Sequence, residues 1–363
     1  MDLRLKKFKQ APKAKKLDGF IVTNHFNIYY LTGFRGILPT EREAILVTMP
    51  KYSTLITARL YQTEAKKLAS SQLKIKIAGE RNEINHLIKE LLVEVKNVGF
   101  EEHDLKFSEF KEFKRLLKGK KLVAVKHLVE DLRIIKEQDE INNIQNAQII
   151  SQKAFDQILK TLNPGQTEAE IADTLIKIIK NLGADGLAFE PIVASGKNSA
   201  KPHHITGNRR LAINDTLLFD FGAKLNNYCS DLSRTVFIGR TSDEQRNIYH
   251  HVQTAQNMAI AKIGVGVKVK HAHNSVNKHF KKQNLEQYFL HSLGHGIGLE
   301  THEKPSISRK SKDTLAEGMV FSVEPGLYFP AWGGVRIEDL VTIKNGRAKI
   351  LGKSAGFIRI LQK

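Results

Sequence analysis

Residues 216–239 read TLLFDFGAKLNNYCSDLSRTVFIG, and the two acids in that stretch govern how the chain is read. Two apolar runs, 216–223 and 232–239, flank a polar turn of the kind that closes a β-hairpin. Asp220 stands inside the first run and Asp231 just ahead of the second. A carboxylate in such a place is unfavourable, because desolvation penalises its charged form unless a cation or strong donors compensate. With residues 224–227 as the turn, Asp220 and Asp231 are expected to face each other directly on one side of the sheet. Two carboxylates so close repel by several times thermal energy where water is scarce, so a positive charge belongs between them.

The pattern recurs toward the C-terminus. Glu324 follows 319–323 (MVFSV) and Glu338 lies inside 335–343 (VRIEDLVTI), on either side of a turn at 330–334 (PAWGG) whose odd length leaves the register open. For any one of these acids, an ion pair with Lys or Arg, or a helix cap, is the simpler account. Four together favour a metal site, and oxygen-rich ligation suits Mn²⁺, Mg²⁺ or Co²⁺. Residues 291–302 (HSLGHGIGLETH) add three histidines among glycines that permit close backbone approach. Their spacing is not that of the helical HExxH motif, and the glycines point to strand or loop. His203 and His204 form a further pair in 201–204 (KPHH).

At 363 residues two domains are expected. Short strands at 19–23, 44–48, 53–57 and 97–100, with helical spacing at 83–96 and 108–118, make the first part an α/β domain. No glycine-rich phosphate loop is present there. Helices are expected at about 137–160, from Thr167 to about Asn181 behind a capping box of Thr167 and Glu170, near 242–263 and near 268–282. The net charge of +19 is densest early: 26 Lys and Arg against 15 acids over residues 1–130, and 31 against 23 over the rest. The lysines are scattered and aromatics are only 7%. A solvated basic surface is therefore expected, with no specific nucleic-acid partner. No stretch has the apolar length of a membrane span and no secretory signal is read. The single cysteine, Cys229, cannot form an internal disulfide, and a cytoplasmic protein is expected.

At the residues just quoted the sequence resembles the pita-bread metallopeptidases, which comprise methionine aminopeptidase, aminopeptidase P and prolidase. The matching stretches are FEPIVASG (189–196), KPHH (201–204), LFDFGA (218–223), YCSDLSRT (228–235), HSLGHGIGLETHE (291–303), EGMVFSVEPGLY (317–328) and GVRIEDL (334–340), in family order. The resemblance implies a creatinase/prolidase-like α/β domain at 1–130. An α+β pita-bread catalytic domain with a curved antiparallel sheet would follow at 131–363. Carried over, Asp220, Asp231, His295, Glu324 and Glu338 would hold two divalent ions, Mn²⁺ foremost, with Co²⁺ or Zn²⁺ possible. Glu324 would double as general base toward a hydroxide bridging them. His203, His291 and His302 would contact the substrate, while Arg336 and Tyr328 would orient it.

The activity implied is hydrolysis of the Xaa-Pro bond in small peptides. Methionine aminopeptidases lack the N-terminal domain, and creatinase-like members lack the metal ligands. That leaves an Xaa-Pro dipeptidase and an Xaa-Pro aminopeptidase. The compact N-terminal domain, residues 1–130, resembles that of the shorter prolidases and puts the dipeptidase slightly ahead. A catalytically inactive binding protein of the same fold is the remaining alternative. A homodimer is implied, with residues 33–43 (GFRGILPTERE) reaching across its interface and Arg35 a candidate for a dipeptide's carboxylate.

Overall fold

The structure, a computed structural model, describes residues 2–36, 41–354 and 358–361. It divides into two compact units, Met1–Arg133 and Ile134–Lys363. The first unit opens with helices α1 (Asp2–Phe8) and α2 (Gln10–Ala14). Its six strands among the described residues are β1 (Gly19–Val22), β2 (Ala44–Thr48), β3 (Ser53–Ala58), β4 (Leu73–Ala78), β5 (Asn97–Glu101) and β6 (Lys121–Val125). They form one sheet in the order β4-β3-β2-β1-β5-β6, antiparallel on both sides of β2 and parallel elsewhere. Helices α3 (His25–Thr32), α4 (Gln62–Lys67), α5 (Arg81–Leu91), α6 (Phe107–Leu116) and α7 (Glu130–Arg133) fill the connections. Strand β4, LKIKIA, is not evident in the sequence because lysines alternate with its apolar residues, and only its ends are buried.

The second unit is built from two similar halves. In the first, α8 (Gln138–Thr161) and α9 (Glu168–Asn181) lie against a sheet of β8 (Ile192–Ser195), β9 (Thr216–Phe221) and β12 (Leu232–Ile238). Short strands β7 (Gly186–Leu187), β10 (Ala223–Leu225) and β11 (Tyr228–Cys229) form a separate small sheet in the order β11-β10-β7. The Thr167–Glu170 capping box opens α9: Thr167 N donates to Glu170 (2.7 Å) and Glu170 N to Thr167 Oγ1 (3.1 Å). Because strand side chains alternate, Leu217, Phe219 and Phe221 face the helices as core, each burial contributing about 1.5–3 kcal/mol. Asp220 consequently projects from the other face.

In the second half, α10 (Asp243–Ala261) and α11 (Val269–Lys282) pack on β13 (Gly294–Gly296), β14 (Glu303–Ile307), β15 (Val320–Val323), β18 (Asp339–Lys344) and β19 (Arg347–Ile350), with β16 (Gly326–Phe329) and β17 (Gly333–Arg336) as an inserted hairpin. Pairing here is antiparallel throughout. Strand β20 (Arg359–Leu361) runs parallel to β12. The halves meet where β12 passes β17 and β18: Glu338 N donates to Ser233 O (3.1 Å), and Thr235 Oγ1 donates to Arg336 O (3.0 Å).

The register of the first hairpin corrects the sequence expectation. The turn is Asn226-Asn227, both at positive φ, so Leu225 pairs with Tyr228 and Asp220 faces Ser233 rather than Asp231. Asparagine tolerates the left-handed conformation that such a two-residue turn demands. The partner shifts by two positions, which preserves the face, so Asp231 sits diagonal to Asp220 on the same side. In the second hairpin, Val323 pairs with Asp339 and Gly326 with Arg336, a single register that sets Glu324 opposite Glu338.

Candidate metal centre

The inward faces of both hairpins line one cavity of about 460 Å³. Asp220, Asp231, His295, Glu324 and Glu338 all border it, together with His203, His291, His302 and Arg336. One atom each of Asp231, His295 and Glu338 lies within 4.8 Å of the others. His295 reaches this point on β13, where Gly296 packs so tightly that a β-carbon would come within 2.1 Å of Lys304 O. Only glycine admits that contact, which explains the run of glycines around the histidine.

Hydrogen bonds fix what each group can do. His295 Nδ1 lies 3.2 Å from the Gly296 carbonyl, which can only accept, so Nδ1 carries the proton. The lone pair on Nε2 then faces Asp231 at 3.6 Å and Glu324 at 3.4 Å. Ser322 Oγ accepts from His295 N (3.1 Å) and donates to Glu324 Oε1 (3.1 Å). Glu338 Oε2 accepts from Ser233 Oγ (2.8 Å), but Glu338 Oε1 and Asp231 Oδ1 are buried with no partner among the described residues. An unpartnered buried carboxylate oxygen is costly. Two carboxylates carrying such oxygens, grouped with a neutral imidazole lone pair, are a donor set that a divalent cation satisfies.

Electrostatics agree with the geometry. Burial, and then Glu338, Asp220 and Glu324 around it, push the Asp231 carboxyl well above the usual carboxylate range. Burial followed by Glu324 and Asp220 does the same to Glu338, and burial raises Glu324. Burial also lowers His295, His291 and His302, which favours their neutral rings.

Arg336 balances part of this charge. It donates through Nε to Ser233 Oγ (2.7 Å), through Nη1 to Tyr328 Oη (2.9 Å) and through Nη2 to Asp220 Oδ2 (2.6 Å). Burial opposes its charge, yet Tyr328, Asp220 and Glu324 hold the guanidinium pKa well above its ordinary value. Tyr328, pushed up to about 12 mainly by burial, donates to His291 Nε2 (2.8 Å), while His291 Nδ1 donates to Ser292 O (2.7 Å). His291 therefore presents a ring whose two nitrogens are both engaged. His204 turns away from the cavity-lining His203 and meets Glu168 at 2.8 Å.

Arg35 belongs to the other unit, where it is exposed, and residues 37–40 of the 33–43 segment lie outside the described residues. Arg42 in that segment is held by Asp104 (2.6 Å) and Glu109 (2.7 Å). Ser233 and Ser322 were not singled out by the sequence reading. Ser233 had a signal in its favour: it stands two residues after Asp231, on the same face of a strand.

Known proteins resemble this chain in sequence and fold. Residues 142–345 match metallopeptidase family M24, and residues 4–135 match the creatinase/prolidase N-terminal domain. The chain belongs to metallopeptidase family M24. It is 34% identical to the Xaa-Pro dipeptidase of Pyrococcus furiosus over 98% of this chain and 99% of that one. Among solved structures, an Xaa-Pro dipeptidase from Bacillus anthracis superimposes with a TM-score of 0.93 at 32% identity, covering 99% of both chains. An X-Pro aminopeptidase from Thermotoga maritima gives a TM-score of 0.88 at 31% identity, covering 97% of this chain and all of that one. The chain is thus a metal-dependent peptidase of pita-bread fold. None of its described helices is long and apolar enough to cross a membrane.

Proposed function

We propose that this peptidase is an Xaa-Pro dipeptidase, acting on small peptides whose second residue is proline. The observation that carries the site assignment is that Asp231 and Glu338, which with His295 bring one atom each within 4.8 Å of one another, each keep a buried carboxylate oxygen with no partner among the described residues. Asp220, Asp231, His295, Glu324 and Glu338 would hold two divalent ions, with Mn²⁺ foremost and Co²⁺ or Zn²⁺ as alternatives. When bound, such ions polarise the scissile carbonyl and acidify water. Glu324, its carboxyl raised by burial, is suited to take a proton from that water and return it to the proline nitrogen as the bond breaks. His203 and His302 border the cavity where the substrate carbonyl would lie. His291 is kept neutral and oriented by Tyr328, which Arg336 holds in turn.

The substrate class rests on the Xaa-Pro dipeptidases of matching length in two organisms. The Thermotoga structure favours Xaa-Pro aminopeptidase as a second reading. A homodimer in the cytoplasm completes the proposal, with Arg35 reading the dipeptide carboxylate and the lone thiol of Cys229 suited to a reducing compartment. Ala-Pro and Ala-Pro-Ala, each with Mn²⁺ and with chelator, test the reading. Metal-dependent cleavage of the dipeptide alone is expected. Cleavage of the tripeptide would make the protein an aminopeptidase, and cleavage of neither would favour a binding role.

A further inference from the structure

Lys136 lies between α7 and α8, and its backbone N donates to Gly318 O (2.9 Å) ahead of β15. Its ammonium group meets Glu303 Oε2 at 3.0 Å, and the two side chains are only 1% and 6% exposed. A buried ion pair of this kind gains little stability over two apolar residues of the same volume, because both charges lose their hydration. Its presence therefore calls for an explanation other than stability.

Glu303 holds the loop that precedes it. Its Oε1 accepts from Glu300 N (3.1 Å), and its carboxylate packs against Gly298 so closely that a β-carbon there would come within 2.7 Å of Oε2. The loop is closed further by Gly298 N on Glu300 O (3.0 Å) and by Cys229 N on Gly298 O (2.8 Å). His302 ends this loop, with its ring centroid 4.1 Å from that of His295. Glu303 and His302 border the cavity and Lys136 does not.

We infer that Lys136 and Glu303 form a clamp that sets the 297–302 loop and, through it, the ring of His302 over the metal centre. Lys136 is then a positioning residue acting through Glu303, and its kinetic consequence rests on the proposed peptidase reaction. A displacement of His302 by a fraction of an ångström weakens catalysis without removing any group that touches the substrate. With Mn²⁺-loaded protein, Lys136→Met should lower kcat on Ala-Pro by about 10- to 100-fold and change KM far less, while Lys136→Arg restores most of the rate. The losses from Lys136→Met and His302→Ala should not add in the double variant. Full additivity, or an unchanged kcat in Lys136→Met, would overturn the clamp.

Hydrogen exchange supplies a readout independent of activity. Amides of residues 297–303 should exchange at least about tenfold faster in Lys136→Met, with the cores of α8 and β12 unaffected. Unchanged exchange in that loop sinks the proposal. If the unaltered protein cleaves no Xaa-Pro peptide, the functional reading falls and the exchange result alone decides the clamp. Should Lys136→Met not fold, Glu303→Gln, which keeps the shape and removes the charge, carries the same measurements.

Discussion

Buried acids occur in both units, and they are treated differently. Glu101, at the end of β5, is 5% exposed, yet its oxygens are satisfied: Thr23 N (2.6 Å) and Asn24 N (2.7 Å) donate to Oε2, and Asn27 Nδ2 (2.6 Å) donates to Oε1. It closes the N-terminus of α3, where free amides and the helix dipole welcome a carboxylate. Asp231 and Glu338 are buried to a similar degree, 4% and 1%, and each keeps one oxygen with no described partner. Burial raises the pKa of all three, so depth alone does not separate a cap from a proposed ligand. The separation lies in the hydrogen-bond accounting, since a group evolved to hold a cation leaves room for it.

The contrast breaks most sharply under Glu338→Ala. Loss of one ligand oxygen pair should reduce peptidase activity by at least about a thousandfold and lower bound metal per chain, read by elemental analysis of dialysed protein. Glu101→Gln should leave metal content and kcat where they are. If the two substitutions affect metal content alike, the distinction drawn from their hydrogen bonds is wrong.

Glu101 has its own signature in stability. Burial outweighs its donors and brings its carboxyl to about 7 from an ordinary 4.5. A pKa raised by folding means that folding takes up a proton. The stability it contributes is therefore fully present below 4.5 and is lost as pH rises through about 7. Glu101→Gln should flatten that slope by about 3 kcal/mol, measured by urea unfolding of the intact chain across the window.

Metal removal tests the other side. In the chelated protein the raised carboxyls of Asp231, Glu324 and Glu338 follow the same sign, stabilising below their unfolded values and losing that contribution as pH rises through their folded ones. A bound cation replaces those protons, so Mn²⁺ uptake should release protons, seen as a buffer-dependent heat in calorimetry. At a hundredfold excess over Kd the metal should add about 2.7 kcal/mol. The gap in Tm between loaded and chelated protein should widen from about pH 5 to about pH 8. A gap that narrows with rising pH would count against these acids as the ligands.

Much of this is legible in the amino-acid sequence. The four acids stood out because strand-like apolar runs carried them, and the capping box of α9 and the long helices followed from spacing and caps. What was not legible depended on contacts distant in sequence. The Asn226-Asn227 turn moved the first register by two positions, a choice between turn lengths that residue types alone did not make. Likewise, nothing local to Glu101 in NVGFE tells that it meets the amides of Thr23 and Asn24, 78 and 77 residues away. The roles proposed for the histidines rest on family resemblance alone, and the structure adds that His291 is engaged at both nitrogens.

The smallest effect concerns how the acids are held rather than which they are. Ser233 Oγ accepts from Arg336 Nε (2.7 Å) and donates to Glu338 Oε2 (2.8 Å), so one hydroxyl ties the cation of the site to one of its acids. Ser233→Ala keeps the strand and every proposed ligand, but frees the Glu338 carboxylate to rotate and leaves Arg336 Nε without that acceptor. Metal affinity should fall by about tenfold, the range seen when a group supporting a ligand is lost, with little change in Tm of the chelated protein. Equilibrium dialysis against Mn²⁺ measures it. An affinity equal to that of the unaltered chain would mean that Glu338 is fixed by its backbone alone. Its N donates to Ser233 O, and its carbonyl accepts from Arg234. The free oxygen of Glu338 would then be a product of strand register, as the satisfied oxygens of Glu101 are a product of the helix it caps.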